Sequence, residues 1–427
     1  MLFRSEEYYR ANFSSATSTY QTKDSEGNRL AVLDVQLPST LLDPESEIQD
    51  ASVMLTKASI PLSAIPKVEL EVSTVGKGKN SIYSLITDCG FCLGNWFYAT
   101  RENSNSGGLA NRIFPNSDTV TYPMSQIAGV YSTLSKNFRA SSRDELLKKH
   151  SPITYTNLTL FENDLNLTLE RVYGSVGPLV NNYNNTWKFP RIKIHFEEDT
   201  FKILIEHLDW DGNNNNNMRP LCGNSSYARA HNYFSIFISR SLAELLHGLP
   251  LVDVSSYYDK FTTDQDLEAF RKYGAYAIVL ENLIPTYEQD DNGVSFEVFT
   301  FHFFNPLSLC PLNSIVIYSS NFPIEGQTHG IASETGLTSG SAQTSSMYIL
   351  DVFYPLLTSE KDLEDVLIIS KDAVTNTAPA KISPSALTFM HNITFNFGYI
   401  TKKGYLRPII IPPNANLSFQ LTFILYS

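Results

Sequence analysis

The chain has 427 residues, too many for one ordinary hydrophobic core, so one large or two medium-sized domains are expected. Hydrophobic residues make up 42% and charged residues 18%, and the chain is rich in Phe and Tyr; this composition excludes a disordered chain and suits broad β-sheets with large buried contacts between subunits. The formal net charge is −12 without a Lys/Arg-rich arm, which excludes direct nucleic-acid packaging because neutralising phosphates requires clustered positive charge.

Residues 1–29 are polar but carry aromatic side chains, and we interpret them as an N-terminal arm. Such an arm lies over a neighbouring surface with its aromatic rings as anchors, or it packs on its own domain. The candidate contacts between subunits are Phe3, Tyr8, Tyr9 and Phe13. The start of the chain has no apolar segment of signal-peptide length, and no apolar run is long enough to span a bilayer. We therefore expect synthesis in the cytosol and no transmembrane segment.

Residues 30–212 are predicted to form a first β-rich domain. Strands are expected within 30–42, 51–66 and 68–72, followed by a long irregular stretch over 88–143 and a helical turn or two at 144–149. The segment 158–180 is ambiguous between helix and strand. The clearest hairpin covers 191–209, with a turn at 197–200. Five consecutive asparagines at 213–217 cannot bury apolar surface, so a domain boundary is placed there.

Residues 218–427 are predicted to form a second β-rich domain. Apolar residues at helical spacing predict the longest helix of the chain at 233–247, and a second short helix at 264–273. The Asp-Asn-Gly sequence at 291–293 predicts a hairpin turn, and a Ser/Thr/Gly-rich loop covers 326–346. Strict alternation of apolar and polar residues over 393–400 and 417–425 predicts antiparallel strands with one buried face, and the last of them should be paired inside a sheet.

Motifs that carry chemistry are weak in this sequence. Cys89 and Cys92 form a C-x-x-C, but no βαβ pattern surrounds them, and Cys222 and Cys310 do not have the spacing of zinc ligands. The loop after Asp209 lacks the downstream Glu of a calcium-binding motif. The eight histidines are scattered, and the common hydrolase and phosphate-binding motifs do not occur. We therefore predict no metal, no cofactor and no enzymatic activity.

Three segments resemble structural proteins of icosahedral double-stranded DNA viruses in the jelly-roll capsid lineage. They are residues 239–246 (SRSLAELL) before a Gly/Pro stop, residues 312–324 (LNSIVIYSSNFPI), and the terminal hairpin at 404–408 (GYLRP) with 417–425 as the closing strand. The resemblance implies a mainly β fold of antiparallel jelly-roll-type β-sandwiches, with one or two jelly rolls and a few short helices. A clean second jelly roll is hard to trace in residues 1–212.

The resemblance also implies a function. It predicts a capsid protein of the virion that self-assembles into the icosahedral shell as a major capsid, penton or minor capsid protein. Its partners would be further copies of the chain and other capsid proteins of the same virion, and it would be made in the host cytosol. The alternative is a receptor- or carbohydrate-binding β-sandwich of a viral spike or fibre, for which a host receptor would be the partner.

Overall fold

A computed structural model of the chain describes residues 6–14, 29–36, 50–75, 82–94, 97–98, 111–112, 130–150, 152–183, 191–197, 200–207, 235–253, 274, 276–278, 280, 283–302, 309–319, 321, 328–329, 347–354, 366–370, 380–382, 392–412 and 415–426. These residues form mainly strands, and the pairings between them are antiparallel. The predicted mainly β class is therefore confirmed.

The strands, in chain order, are β1 (Glu6–Ser14), β2 (Arg29–Leu30), β3 (Val32–Gln36), β4 (Asp50–Pro61), β5 (Val68–Leu70), β6 (Val72–Val75), β7 (Ile82–Gly94), β8 (Phe97–Tyr98), β9 (Asn111–Arg112), β10 (Val130–Arg139), β11 (Ile153–Tyr155), β12 (Ile192–Glu197), β13 (Thr200–Glu206), β14 (Ser235–Ile238), β15 (Leu251–Asp253), β16 (Tyr276–Ile278), β17 (Thr286–Gln289), β18 (Ser295–Phe301), β19 (Leu312–Ser319), β20 (Thr328–His329), β21 (Met347–Phe353), β22 (Val366–Ser370), β23 (Ala380–Ile382), β24 (Asn392–Thr401), β25 (Leu406–Pro408), β26 (Ile410–Ile411) and β27 (Ser418–Tyr426). The α-helices are α1 (Arg143–His150), α2 (Leu158–Tyr183) and α3 (Arg240–Leu245), and a short 3-10 helix covers Leu62–Ala64.

The chain divides into two compact units. Unit 1 contains Met1–Lys67, Ser142–Ser151 and Cys310–Ser427, and unit 2 contains Val68–Ser141 and Pro152–Leu309. This division differs from the predicted sequential ranges 30–212 and 218–427. The physical reason is strand pairing over long sequence separations: β3 pairs with β24 and β4 pairs with β27 within unit 1, and β13 pairs with β18 across the predicted boundary within unit 2.

Unit 1 is a β-sandwich. Sheet I has the strand order β1-β27-β4-β22, with β23 also paired to β4, and sheet II has the order β20-β21-β19-β24-β25, with β3 also paired to β24. The two sheets meet through aromatic side chains, because the Phe419 ring of sheet I lies 5.4 Å from the Phe395 ring and 5.2 Å from the Phe397 ring of sheet II. All three rings are buried, and they form the centre of this core.

The alternation predicted near the end of the chain is confirmed. In β24 the side chains of Ile393, Phe395, Phe397 and Tyr399 are buried while the intervening Thr394 and Asn396 are half-buried. β24 turns back into β25 through a tight turn in which Gly404 has a φ of 88°. β27 lies inside sheet I between β1 and β4, as expected for a strand that is paired on both sides.

Unit 2 combines two larger sheets with helix α2 and the two-stranded pairs β5–β11 and β8–β9. Sheet III has the order β10-β7-β14-β16-β15, with β6 also paired to β7, and sheet IV has the order β12-β13-β18-β17. α2 packs against β7 and β10 of sheet III and against β12 of sheet IV. The hairpin predicted at 192–205 is confirmed as β12 and β13, and the predicted turn at Asp291-Asn292-Gly293 is confirmed between β17 and β18.

The prediction of a helix at 233–247 is wrong for the first half of this segment. Residues 235–238 form β14, which pairs with β7 and β16, and only the six residues Arg240–Leu245 are helical. The boundary is Ser239, which has extended backbone angles and whose hydroxyl oxygen accepts the N–H of Leu242. The same oxygen accepts the N–H of Gly90, so one serine caps the helix and joins it to β7.

The longest α-helix in the described part of the chain is α2, with 26 residues, so the prediction that the helix at 233–247 is the longest is also wrong. This segment was ambiguous from sequence. Its inner face is apolar and buried, and it comprises Leu158, Phe161, Leu165, Leu169 and Val172. Their spacing of three and four residues is that of a helix whose one face lies on a core.

The irregular stretch predicted at 88–143 is only partly irregular. Residues 82–94 and 130–139 form the two long strands β7 and β10, which pair with each other. The helical turns predicted at 144–149 are confirmed as α1. The second predicted helix at 264–273, the asparagine run at 213–217 and all of the predicted loop at 326–346 except residues 328 and 329 lie outside the described residues.

Candidate functional site

The predicted contact residues of the N-terminal segment lie on a strand at the edge of sheet I. β1 pairs with β27 of the same chain over nine residues, with Tyr8 in register with Ile424, Tyr9 with Phe423 and Phe13 with Phe419. The backbone of residues 6–14 therefore follows the alternative prediction, in which the segment packs on its own domain. Phe3 lies outside the described residues.

An edge strand is itself a candidate assembly surface. In the order β1-β27-β4-β22, β1 is bonded to β27 on one side and has no neighbour among the described strands on the other. The outward backbone groups of an edge strand can pair with a strand of another chain, which is why edges often mediate association between subunits. Tyr8, Tyr9 and Phe13 are thus positions of an edge strand of the described part of sheet I, and their role as contacts between subunits stays a prediction.

One edge of sheet IV is closed by helix α2. β12 is the edge strand, and Asn166 of α2 binds its backbone twice: Nδ2 donates to the Ile194 carbonyl at 2.9 Å, and Oδ1 accepts the Ile194 N–H at 2.8 Å. One turn earlier, Oε2 of Glu162 accepts the Phe196 N–H at 2.9 Å, and the Glu162 carboxylate also lies 3.0 Å from Nδ1 of His195. These side chains take the place of a neighbouring strand, so β12 is protected from edge pairing.

We expect Asn166→Ala to destabilise unit 2 by roughly 1–3 kcal/mol, because it leaves two part-buried backbone groups of Ile194 without their hydrogen bonds. Asn163→Ala is the matched control, since it makes the same chemical change at an exposed position of the same helix. Chemical denaturation gives the free energy of unfolding of each variant, and hydrogen exchange at β12 shows whether the lost stability is local to that strand. An Asn166→Ala variant as stable as the Asn163→Ala variant would contradict the role assigned to Asn166.

The opposite edge of sheet IV is exposed. All four residues of β17 are exposed, including Tyr287, and Ile284 just before the strand is 89% exposed. The turn after β17 is fixed by Asp290, whose Oδ1 accepts the N–H groups of Asn292 and Val294 at 3.0 and 2.9 Å. These hydrogen bonds, that from Val294 first, lower the pKa of the Asp290 carboxyl. Sheet IV therefore has one closed edge and one rigid, exposed edge.

Charged side chains cover the outer face of sheet IV. Nζ of Lys202 lies 2.5 Å from Glu197 and 3.6 Å from Glu288, and Nζ of Lys193 lies 3.7 Å from Asp290. The hydrogen bond from Lys202 lowers the pKa of Glu197, and the same bond raises the pKa of Lys202. A lowered carboxyl pKa adds stability above the unfolded-state pKa and loses it as the pH falls through the folded-state pKa. Because Glu197 is exposed, solvent keeps this effect small.

The residues considered for chemistry are placed mainly inside the protein. Cys89 is buried on β7, with its N–H donating to Oγ1 of Thr87. Strand geometry separates the Cα atoms of Cys89 and Cys92 by about 10 Å, beyond the roughly 4.4–6.8 Å of a disulfide. Cys310 is buried, and burial raises the pKa of its thiol. Cys222 and the loop after Asp209 lie outside the described residues. The backbone of β7 therefore does not bring Cys89 and Cys92 within disulfide distance.

A carboxylate–imidazole pair occurs at the end of sheet IV, and sequence inspection did not single it out. Oε1 of Glu297 lies 3.5 Å from Nδ1 of His207, whose ring meets the Tyr287 ring edge-on at 5.4 Å. Glu297 has no exposed surface, so a substrate does not reach its carboxylate in this structure. The partly exposed His207 shields that carboxylate at the sheet end.

Two further findings concern only the described part of the chain. Within it, no three His, Cys, Asp or Glu side chains are grouped closely enough to hold a metal ion. None of the helices formed by these residues has the length and apolar character needed to cross a membrane.

The comparisons with known proteins bear on the fold. No protein-family model and no curated protein sequence matches the chain. A chain in the 3.5 Å cryo-EM structure of the Sputnik virophage is 13% identical, with a TM-score of 0.54, and the match covers 98% of this chain and 97% of that one. The mavirus penton protein is 12% identical over 98% of this chain and 99% of its own, with a TM-score of 0.45. The chain thus shares its fold with a protein from a virus particle, which is the fold that the jelly-roll resemblance implies.

Proposed function

We propose that this chain is a structural protein of a virion, which self-assembles into the capsid shell of an icosahedral double-stranded DNA virus and acts without an enzymatic step. The observation that carries the proposal is the likeness to a Sputnik virophage chain, because it extends over 98% of the protein and includes both units. The proposed location is the virion, reached after synthesis in the host cytosol.

Two features of the described residues support assembly with other subunits. β1 ends sheet I and β17 ends sheet IV, so each unit presents an edge strand to which another chain can be added. The four residues of β17 are exposed, unlike β12, whose backbone Asn166 and Glu162 cover. The proposed partners are copies of this chain and other capsid proteins of the same virion, as a major, penton or minor capsid protein.

Assembly should depend on ionic strength. The formal net charge of −12 makes subunits repel one another, and salt screens this repulsion over a Debye length of about 10 Å at 0.1 M. We expect the purified protein to form rings or shells that become more stable as salt is raised. Sedimentation velocity at two ionic strengths, with electron microscopy of the same samples, measures this. A protein that remains monomeric at high concentration in both would refute the shell function, and glycan binding by a small oligomer would support the spike or fibre alternative.

The N-terminal contacts need a pair of truncations. Removing residues 1–20 should weaken assembly, but it also removes β1 and uncovers the edge of β27. Removing residues 1–5 deletes Phe3 and keeps β1, so it separates a contact made by the first residues from the stability of sheet I. If only the longer truncation weakens assembly, hydrogen exchange at β27 tells whether the sheet itself has loosened. Assembly unchanged in both truncations would exclude this segment as a contact.

A further inference from the structure

A line of residues on the outer face of α2 does not pack against the core. Leu160 and Leu167 are 49% and 47% exposed, and Gly174, which is also exposed, has no atom within 4 Å of the place where a Cβ would stand. The three residues are seven positions apart, so they follow one another along the same side of the helix, separated by about 10.5 Å of helical rise. We call Leu160, Leu167 and Gly174 the α2 stripe.

The α2 stripe is opposite to the face that anchors the helix. The buried residues Phe161, Leu165 and Val172 point to the core, and Glu162 and Asn166 bind β12. A surface helix of a globular protein ordinarily has a polar outer face. Two half-exposed leucines in line with a glycine instead form an apolar ridge with a notch at one end, which is a shape that a second helix can fill.

The stripe is complementary to itself when two copies run antiparallel. A two-fold axis beside Leu167 places Leu167 against its own copy, and it places Leu160 of each helix in the notch at Gly174 of the other. A parallel arrangement would put Leu160 against Leu160 and leave two glycines facing each other across a gap. Contacts in which residue i meets residue j and j meets i are the mark of a two-fold interface.

The polar residues beside the stripe are compatible with the same arrangement. Asp164 and Arg171 lie on one side of it and are exposed, and the antiparallel pairing brings Asp164 of each copy next to Arg171 of the other. Asp164 also accepts the hydroxyl of Tyr155 at 2.9 Å, which holds the carboxylate in place. On the opposite side, Asn163 of each copy comes next to Glu170 of the other, a neutral residue beside an acidic one. The antiparallel contact therefore contains two attractive charge pairs and no repulsive pair among these positions.

The charges alone do not choose the direction of the second helix. A parallel arrangement would bring Arg171 of one copy next to Glu170 of the other, which is also attractive. The fit of Leu160 into the notch at Gly174 of the other copy therefore decides between the two directions. The charge pairs add to the strength of the contact. Asn163 is the position at which a new charge should change that strength, because Glu170 of the other copy lies beside it.

We infer that the α2 stripe is a contact surface for α2 of a second copy of this chain, with the helices antiparallel and a two-fold axis beside Leu167. One helix face is smaller than a standard interface of about 1,600 Å², so the contact is weak alone and acts together with others in an assembly. The inference rests on the proposed self-assembly for its setting and adds to it a specific surface and symmetry.

Cysteine cross-linking tests the symmetry directly. Leu167→Cys should give a disulfide-linked dimer on mild oxidation, since position 167 meets its own copy. A mixture of Leu160→Cys and Gly174→Cys proteins should cross-link, whereas Leu160→Cys alone should not. Thr159→Cys is the matched control, because position 159 is exposed on α2 but lies to the side of the stripe, and the unsubstituted protein controls for its four native cysteines. Cross-linking of Leu160→Cys alone would overturn the antiparallel arrangement.

A second set of variants tests the contact without cysteines. Gly174→Leu should reduce association at least several-fold by filling the notch, even though leucine is a better helix former than glycine. Asn163→Lys should increase association about two- to fourfold, the size expected when exposed residues form new ion pairs, here with Glu170 of the other copy. Thr159→Lys is its control, because it makes the same change in net charge away from the stripe. Equal association of the two lysine variants would count against the contact.

The contact and the proposed function can fail separately. Particles that assemble from reduced Leu167→Cys protein, but form no disulfide at 167 on oxidation, would overturn the α2 contact and leave the proposed function standing. A disulfide at 167 without particles would support the contact and count against the shell.

Discussion

Phe419→Ala is expected to lower the free energy of unfolding of unit 1 by about 3–5 kcal/mol, the largest effect we predict for a single substitution. The Phe419 side chain is 3% exposed and touches both Phe395 and Phe397, so it joins sheet I to sheet II at the centre of the sandwich. Alanine would remove the ring and leave a cavity between two sheets whose backbones are fixed by their own hydrogen bonds and cannot close it.

Chemical denaturation measures this loss, and hydrogen exchange at β24 and β27 shows whether it falls on both sheets. Phe419→Leu is the control, because it keeps an apolar side chain in the core. Its free energy of unfolding should fall considerably less than that of the alanine variant. A change of under about 1 kcal/mol in the alanine variant would mean that the two sheets do not depend on this contact.

Gly398→Ala is expected to destabilise unit 1 by about 1–3 kcal/mol, although alanine is the smallest possible addition. A Cβ at this position would lie 2.8 Å from the carbonyl oxygen of Arg407, 2.9 Å from Cδ1 of Leu406 and 3.3 Å from Cε1 of Tyr318. The nearest of these atoms belongs to the backbone of β25, so the β24–β25 hairpin itself would have to shift.

Gly174→Ala is the matched control for this substitution. It makes the same chemical change at an exposed position of α2 where no atom lies within 4 Å, and it should stabilise the protein by up to about 1 kcal/mol through helix propensity. Thermal unfolding of the two variants beside the unsubstituted protein should therefore show shifts of opposite sign. Equal shifts would contradict the close approach of β25 to Gly398.

The strands that could be predicted from sequence are those with one buried face. In β24 and in the β12–β13 hairpin, apolar and polar residues alternate, because one side of each strand lies on the core and the other does not. The turn at Gly293 was also predictable, since its φ of 78° favours glycine. These signals are local, and a short window of sequence contains all of them.

The helices were harder to predict because their patterns are mixed. α2 has the buried spacing of an amphipathic helix, but Leu160 and Leu167 add apolar residues to its outer face and hide the period. In the segment predicted as the longest helix, the Ile236-Phe237-Ile238 run favours a strand and Ser239 is a typical N-cap. Those two signals together could have located the change from strand to helix.

The candidate site was predictable only in part. Aromatic residues identified the first residues of the chain as unusual, but their pairing with β27 depends on contacts across more than four hundred positions, which no local pattern reveals. The binding of Asn166 and Glu162 to the edge of β12 is likewise a property of the fold, since both residues look like ordinary polar positions of a surface helix. Their roles follow from which strand happens to lie beside the helix.

The pairing of β4 with β27 has a consequence for biosynthesis. Thr56 and Gln420, which are hydrogen-bonded across these strands, are separated by 364 positions, and the whole of unit 2 is translated between them. At about 5–20 residues per second, a ribosome needs roughly 20–70 s to cover that distance. Throughout this time β4 lacks β27, its partner inside sheet I, whereas every described strand of unit 2 has been translated before β27 is made. Sheet I is thus completed only after β27 has been translated, so the β1 edge, which pairs with β27, forms at the end of this interval and not before it.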